Sequence, residues 1–154
     1  MNYSECIENA RTRIGNYCKA CPECNGRACK NQMPGPGAKG IGDTAIRNYD
    51  KWKEIRVQMD TIAENKPVDT SLELFGKKFL YPFFAGPVGA VGLHYGDCLD
   101  DVRYNDILVS ACAKYGIAAF TGDGLDSNVM VAATKAIGKT DGIGIPTVKP
   151  WNID

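Results

Sequence analysis

The chain has 154 residues, 44% of them hydrophobic and 23% charged, a balance that suits about one globular domain and excludes a disordered or collagen-like chain. Eighteen basic residues offset eighteen acidic ones, so the sequence carries no electrostatic footprint for nucleic acid or for an anionic membrane surface, and neither is expected as a partner. No stretch approaches the roughly 18 uninterrupted apolar residues of a transmembrane helix, and the opening MNYSECIENARTR lacks a signal peptide's apolar core, so a cytoplasmic protein is expected.

Residues 1–56 hold ten of the basic residues and six of the acidic ones. Four cysteines, Cys18, Cys21, Cys24 and Cys29, are followed there by a turn-rich run, 33–42, whose glycines and prolines suit neither helix nor strand; the segment reads as a compact extension. Over 48–63, Tyr49, Trp52, Ile55, Val57, Met59 and Ile62 are spaced in an imperfect helical pattern, which predicts a helix, with Pro67 ending it. The extension is drawn as residues 1–68 and the next domain as 69–154.

Apolar and polar residues alternate over 70–79 around Gly76, predicting a small hairpin. Strand 81–87 and helix 104–115 follow, then strand 117–121 and helix 128–137, then strand 144–148. Alternating strands and helices predict an α/β fold with a parallel sheet, and the apolar runs Phe83-Phe84-Ala85 and Ile117-Ala118-Ala119-Phe120 suit strands buried on both faces. A three-stranded parallel sheet that stops at Asp154 lacks the neighbours and the covering helix that would bury it. The chain is therefore expected to be a fragment, or to be completed by a second polypeptide.

Two nucleotide-binding strings fail by context. Gly35-Pro-Gly37-Ala-Lys-Gly40 satisfies G-x-G-x-x-G but follows a polar, cysteine-rich stretch where the motif needs a strand. The run 133–140 ends in Gly138-Lys139-Thr140, yet helix precedes it and strand follows, the reverse of a phosphate-binding loop; Gly138 reads as a helix C-cap. Seven cysteines, an odd number without a secretion signal, argue against a disulfide framework. Cys18-x2-Cys21-x2-Cys24-x4-Cys29 is dense enough to wrap a tetrahedral zinc or an iron-sulfur cluster, or to remain reduced thiols; a metal module without its own catalysis is the alternative function. Cys6 and Cys98 stand apart, and Cys112 reads as a small buried hydrophobe. His94, the one histidine, cannot build a two-histidine metal motif and reads as a solvated loop residue. Asp97, Asp100, Asp101 and Asp106 read as a solvated acidic loop and helix start.

Parallel sheets bind ligands beyond the C-terminal ends of their strands, which here are Gly86-Pro87-Val88-Gly89, Thr121-Gly122-Asp123-Gly124 and Lys149-Pro150-Trp151. The ordered series DTSLELFGKKFLYPFFAGPVGA, AKYGIAAFTGDG and GIGIPTVKPW resembles the FMN-dependent α-hydroxy-acid oxidase and dehydrogenase family, most clearly over 69–154, and CNGRAC with PGPGAKGIG resembles a cysteine-rich branch of it. The resemblance implies a (β/α)8 barrel with FMN at its C-terminal mouth, of which this chain would supply the hairpin and the first three strands. It implies that Gly86, Pro87, Val88, Gly89 and Thr121 contact the flavin. Lys149 falls where the family commonly has a glutamine near the flavin's carbonyl edge, and Trp151 where a substrate-facing tyrosine is usual. A small 2-hydroxy acid is the implied substrate, and these two departures bear on which one. The family's proton-abstracting histidine, carboxylate-binding arginine, flavin lysine and phosphate loop lie in later strands, so catalysis is expected only with the C-terminal remainder of the barrel, and no catalytic residue is assigned here. Such barrels are expected to assemble into homo-oligomers.

Overall fold

The computed structural model describes residues 2–15, 17–29, 43–124, 126–141 and 143–148. The turn-rich run 33–42, Lys149 and Trp151 lie outside the described residues. The chain divides into two compact units, Met1–Asn65 with Gly92–Cys98, and Lys66–Val91 with Leu99–Asp154.

The first unit opens with helix α1, Tyr3–Arg13. Its signal lies in its ends: Asn2 Oδ1 accepts from the Glu5 amide at 2.9 Å, while the Glu5 carboxylate accepts from the Asn2 amide at 2.9 Å. This reciprocal capping satisfies two orphan donors, and Arg11 and Arg13 complement the dipole at the other end. Residues 17–29 run without helix or strand to α2, Thr44–Trp52. Neither helix buries a residue, and among the described residues from 2 to 65 Ala20 is the one buried hydrophobic side chain.

The helix expected over 48–63 is therefore corrected: α2 begins at Thr44 and stops at Trp52, and every residue from 51 to 70 is exposed. Ile55, Val57, Met59 and Ile62 fall two and three residues apart, a spacing that gathers no single helical face. With Ile62 97% exposed, no packing surface compensates for the cost of ordering them.

The second unit begins with a hairpin of β1, Leu72–Leu74, and β2, Lys77–Phe79, in the register Leu72↔Phe79 and Leu74↔Lys77. Phe75 and Gly76 both take positive φ, 54° and 69°, the two-residue turn whose twist matches the strands it joins. A short helix α3, Val91–Tyr95, crosses the division between the units. The rest is α4, Asp101–Lys114; β3, Ala119–Phe120; α5, Ser127–Lys139; and β4, Gly144–Ile145.

β3 pairs in parallel with β4 on one side and, through a single bridge at Ala119, with Ala85 on the other. The parallel sheet is thus present in chain order, but the strands expected over 81–87, 117–121 and 144–148 contract to one bridge and two pairs. Prolines account for much of this. Pro82 and Pro87 bracket the first strand and Pro146 follows directly on β4, each removing a ladder donor.

Helices α4 and α5 cover the sheet, and Val109, Cys112, Ala119 and Ala136 form the core with Ala85, Leu108, Ile117 and Ile137 packed around them. Asp100 caps α4 by accepting from the Arg103 amide at 2.7 Å, and Asp126 caps α5. At the far end of α4, Gly116 takes φ 71°, the Ile117 amide bonds back to Cys112 and the Gly116 amide to Ala113. This Schellman closure turns the chain straight into β3. Gly138 is not a cap: it lies inside α5, which ends at Thr140, whose hydroxyl bonds the Ile137 carbonyl at 2.9 Å. Among the described residues there is no closed barrel, and no helix is long and apolar enough to cross a membrane.

Candidate functional site

The C-terminal ends of the parallel strands come together in the second unit. The Ala85 amide donates to the Ala118 carbonyl at 3.0 Å and the Phe120 amide to the Ala85 carbonyl at 2.9 Å, which aligns the ends of the first two strands. The Thr121 amide donates to the Ile145 carbonyl at 3.0 Å, bringing the third alongside. Beyond these bonds the chain leaves the sheet as the loops 86–90 and 121–124.

The two loops interlock through their backbones. A Cβ on Gly122 would collide with the Val88 carbonyl, and one on Gly89 would collide with the Asp123 carbonyl, so neither position has room for a side chain. Gly86 and Pro87 are exposed, and a Cβ on Gly86 would meet nothing within 4 Å. The loop 86–89 therefore leaves open space at Gly86, while Gly89 packs against the neighbouring loop.

Thr121 is fully buried. Its hydroxyl accepts from the Thr147 amide at 3.3 Å, so it ties the second strand end to the third. Near it lies Asn105 on α4, the other buried polar side chain among the described residues. Asn105 Oδ1 accepts from the Gly122 amide at 2.8 Å, and its Nδ2 donates to the Gly122 carbonyl at 3.4 Å. The sequence reading missed Asn105, although a signal exists: Asn105, Val109 and Cys112 fall at helical spacing on one buried face, and an amide on such a face needs a buried partner.

The acidic residues nearby serve largely as structure. Asp100 is the α4 cap, Asp101 accepts from the Val91 amide at 3.1 Å, and Asp106 pairs with Lys139 at 2.9 Å. Cys112 is buried as expected, and desolvation pushes its thiol pKa up. His94 belongs to the other unit; it is half-buried, with its ring edge-on to Tyr95, so the expectation of a solvated histidine is corrected.

In the first unit Cys18, Cys21, Cys24 and Cys29 line one cavity of about 360 Å³, with Tyr49 and Trp52 on its wall. Burial pushes the Cys24 thiol up, and the neighbouring Cys29, Cys18 and Cys21 add to the shift because adjacent thiolates would repel. Among the described residues no group of three or more His, Cys, Asp or Glu side chains stands in an arrangement that could hold a metal ion, so the expected zinc or iron-sulfur site gains no support from the geometry.

Over residues 35–140 the chain matches the family described as FMN-dependent dehydrogenase. No curated protein and no solved structure matches it.

Proposed function

The chain belongs to the FMN-dependent dehydrogenase family, and we propose that it forms the N-terminal part of a (β/α)8 flavoenzyme that oxidises a small 2-hydroxy acid and needs a C-terminal segment for catalysis. The observation that carries the reading is the family match over residues 35–140, which spans the hairpin, the first two strand ends and both sheet-covering helices. Bound FMN would supply a two-electron acceptor: the substrate loses the hydrogen on C2 and the proton of its hydroxyl, and leaves as the 2-oxo acid.

The residues present suit a planar ring system. Gly86 is exposed with open space at its Cα, and the backbone behind it at Val88 and Gly89 is packed against the loop 121–124. In this reading Gly86, Pro87, Val88 and Gly89 line the flavin, and Thr121 holds the second strand end in place for it. Lys149 adds a cation at the flavin's carbonyl edge, where it favours the reduced anion, and Trp151 faces the substrate. The need for a partner segment is supported by the sheet, because among the described residues Ala85 and β4 each pair with β3 on one side only. Both outer edges are where further barrel strands would add.

Native mass spectrometry of the protein as purified tests the reading. FMN bound together with a further barrel segment, and bleaching of the flavin by glycolate or lactate under anaerobic conditions, are expected. A flavin-free species of this chain's own mass would overturn it.

A further inference from the structure

Gly122 is buried and lies one residue past the last sheet hydrogen bond of the second strand, the one from the Thr121 amide to Ile145. Its own amide and carbonyl would be orphaned there, at a cost that buried polar groups rarely carry. Asn105 supplies both partners from a neighbouring helix, its carboxamide meeting the amide at 2.8 Å and the carbonyl at 3.4 Å as a paired strand would. Gly122 in turn abuts the Val88 carbonyl, and Gly89 abuts the Asp123 carbonyl, so the two loops pack backbone against backbone at both glycines. The loop 121–124 cannot shift without moving 86–89.

We infer that Asn105 is a positioning residue for the flavin wall. It holds Gly122, and through Gly122 it fixes the backbone of Val88 and Gly89 at the height the ring system requires. The inference rests on the FMN reading above. It extends that reading to a residue on the far side of the second strand end, in a helix that carries none of the expected flavin contacts.

The side-chain chemistry is specific. Asn105→Asp keeps the shape and one acceptor but sets a carboxylate oxygen against the Gly122 carbonyl, and Asn105→Ala removes both bonds. In the completed, FMN-loaded protein, each substitution is expected to weaken FMN binding on the order of 10- to 100-fold, the size of effect that small displacements of a positioned group produce. In both variants the flavin absorption spectrum is expected to shift as its backbone contacts loosen. Amide hydrogen exchange at both Gly122 and Gly89 should accelerate in the flavin-free state, while the hairpin amides of β1 and β2 keep wild-type rates. Should the Asn105 variants fail to fold, Gly122→Ala breaks the same interlock at a residue that does not line the flavin and is expected to weaken FMN comparably. Variants that melt earlier yet bind FMN with wild-type affinity and spectrum would show a purely structural amide and overturn the inference alone. A wild-type protein that binds no FMN would overturn the reading beneath it as well.

Discussion

Cys112 occupies a core position beside Val109, Ala119 and Ala136, and that burial gives it a pH signature. Desolvation raises its pKa above the ordinary value of 9.0. A group whose folded pKa is raised contributes stability that is complete below its unfolded value and is lost as pH rises through the folded one. The unfolding free energy of the chain is therefore expected to fall as pH rises above about 9, where the unfolded state sheds the thiol proton first. Urea denaturation across a pH series checks this, with Cys112→Ala expected to show a shallower alkaline decline; equal slopes for the two proteins would refute it. The buried character of Cys112 is legible in the sequence from its place on an apolar helical face. Asn105 and Thr121 are harder to read, because their partners are backbone groups of Gly122 and Thr147, 17 and 26 residues away in the chain, which no local pattern reports.

Local chemistry decides the elements where it is strong. The hairpin is readable because Gly76 sits between alternating residues and suits one of the turn's two left-handed positions, while Phe75 takes the other against its usual preference. Helices α4 and α5 are readable from their apolar faces, although their N-termini start earlier than those patterns suggest because Asp100 and Asp126 cap them. Helix α1 buries no residue and has a capping box at its start, and the expected continuation of α2 fails because its apolar residues have nothing to cover. The Schellman closure of α4 gives a sharp test. At Gly116 a Cβ would meet the Leu80 side chain at 2.5 Å, and φ is 71°. Gly116→Ala is expected to cost about 1–2 kcal/mol from the left-handed backbone alone, with the Leu80 contact added. Calorimetry should show a loss of several degrees in Tm, and an unchanged Tm would remove this role from the glycine.

On the scale of the whole molecule, the parallel order of the sheet is legible from the strand–helix alternation, whereas its narrowness is not, because prolines trim the ladders where apolar content alone would extend them. The exposed run from 51 to 70 joins the first unit to the second and carries no helix beyond Trp52 and no strand. Trypsin is expected to cut first after Lys53 or Arg56 in this run and well before Lys114, the last residue of α4, while the bond at Lys66 resists because Pro67 follows. Early cleavage at Lys114 would mean that the helix opens more readily than its packing implies. Mass analysis of the first fragments reads the order directly.

The side-by-side order of Ala85, β3 and β4 also has a kinetic consequence. Each strand joins the edge made by the one just before it, so closing the sheet never requires a distant segment to thread between two already paired. The loops closed are short and the contacts between α4, β3 and α5 are local in sequence, features that speed folding. This part of the chain is thus suited to assemble progressively as it leaves the ribosome, each strand adding to the edge presented by the one before it.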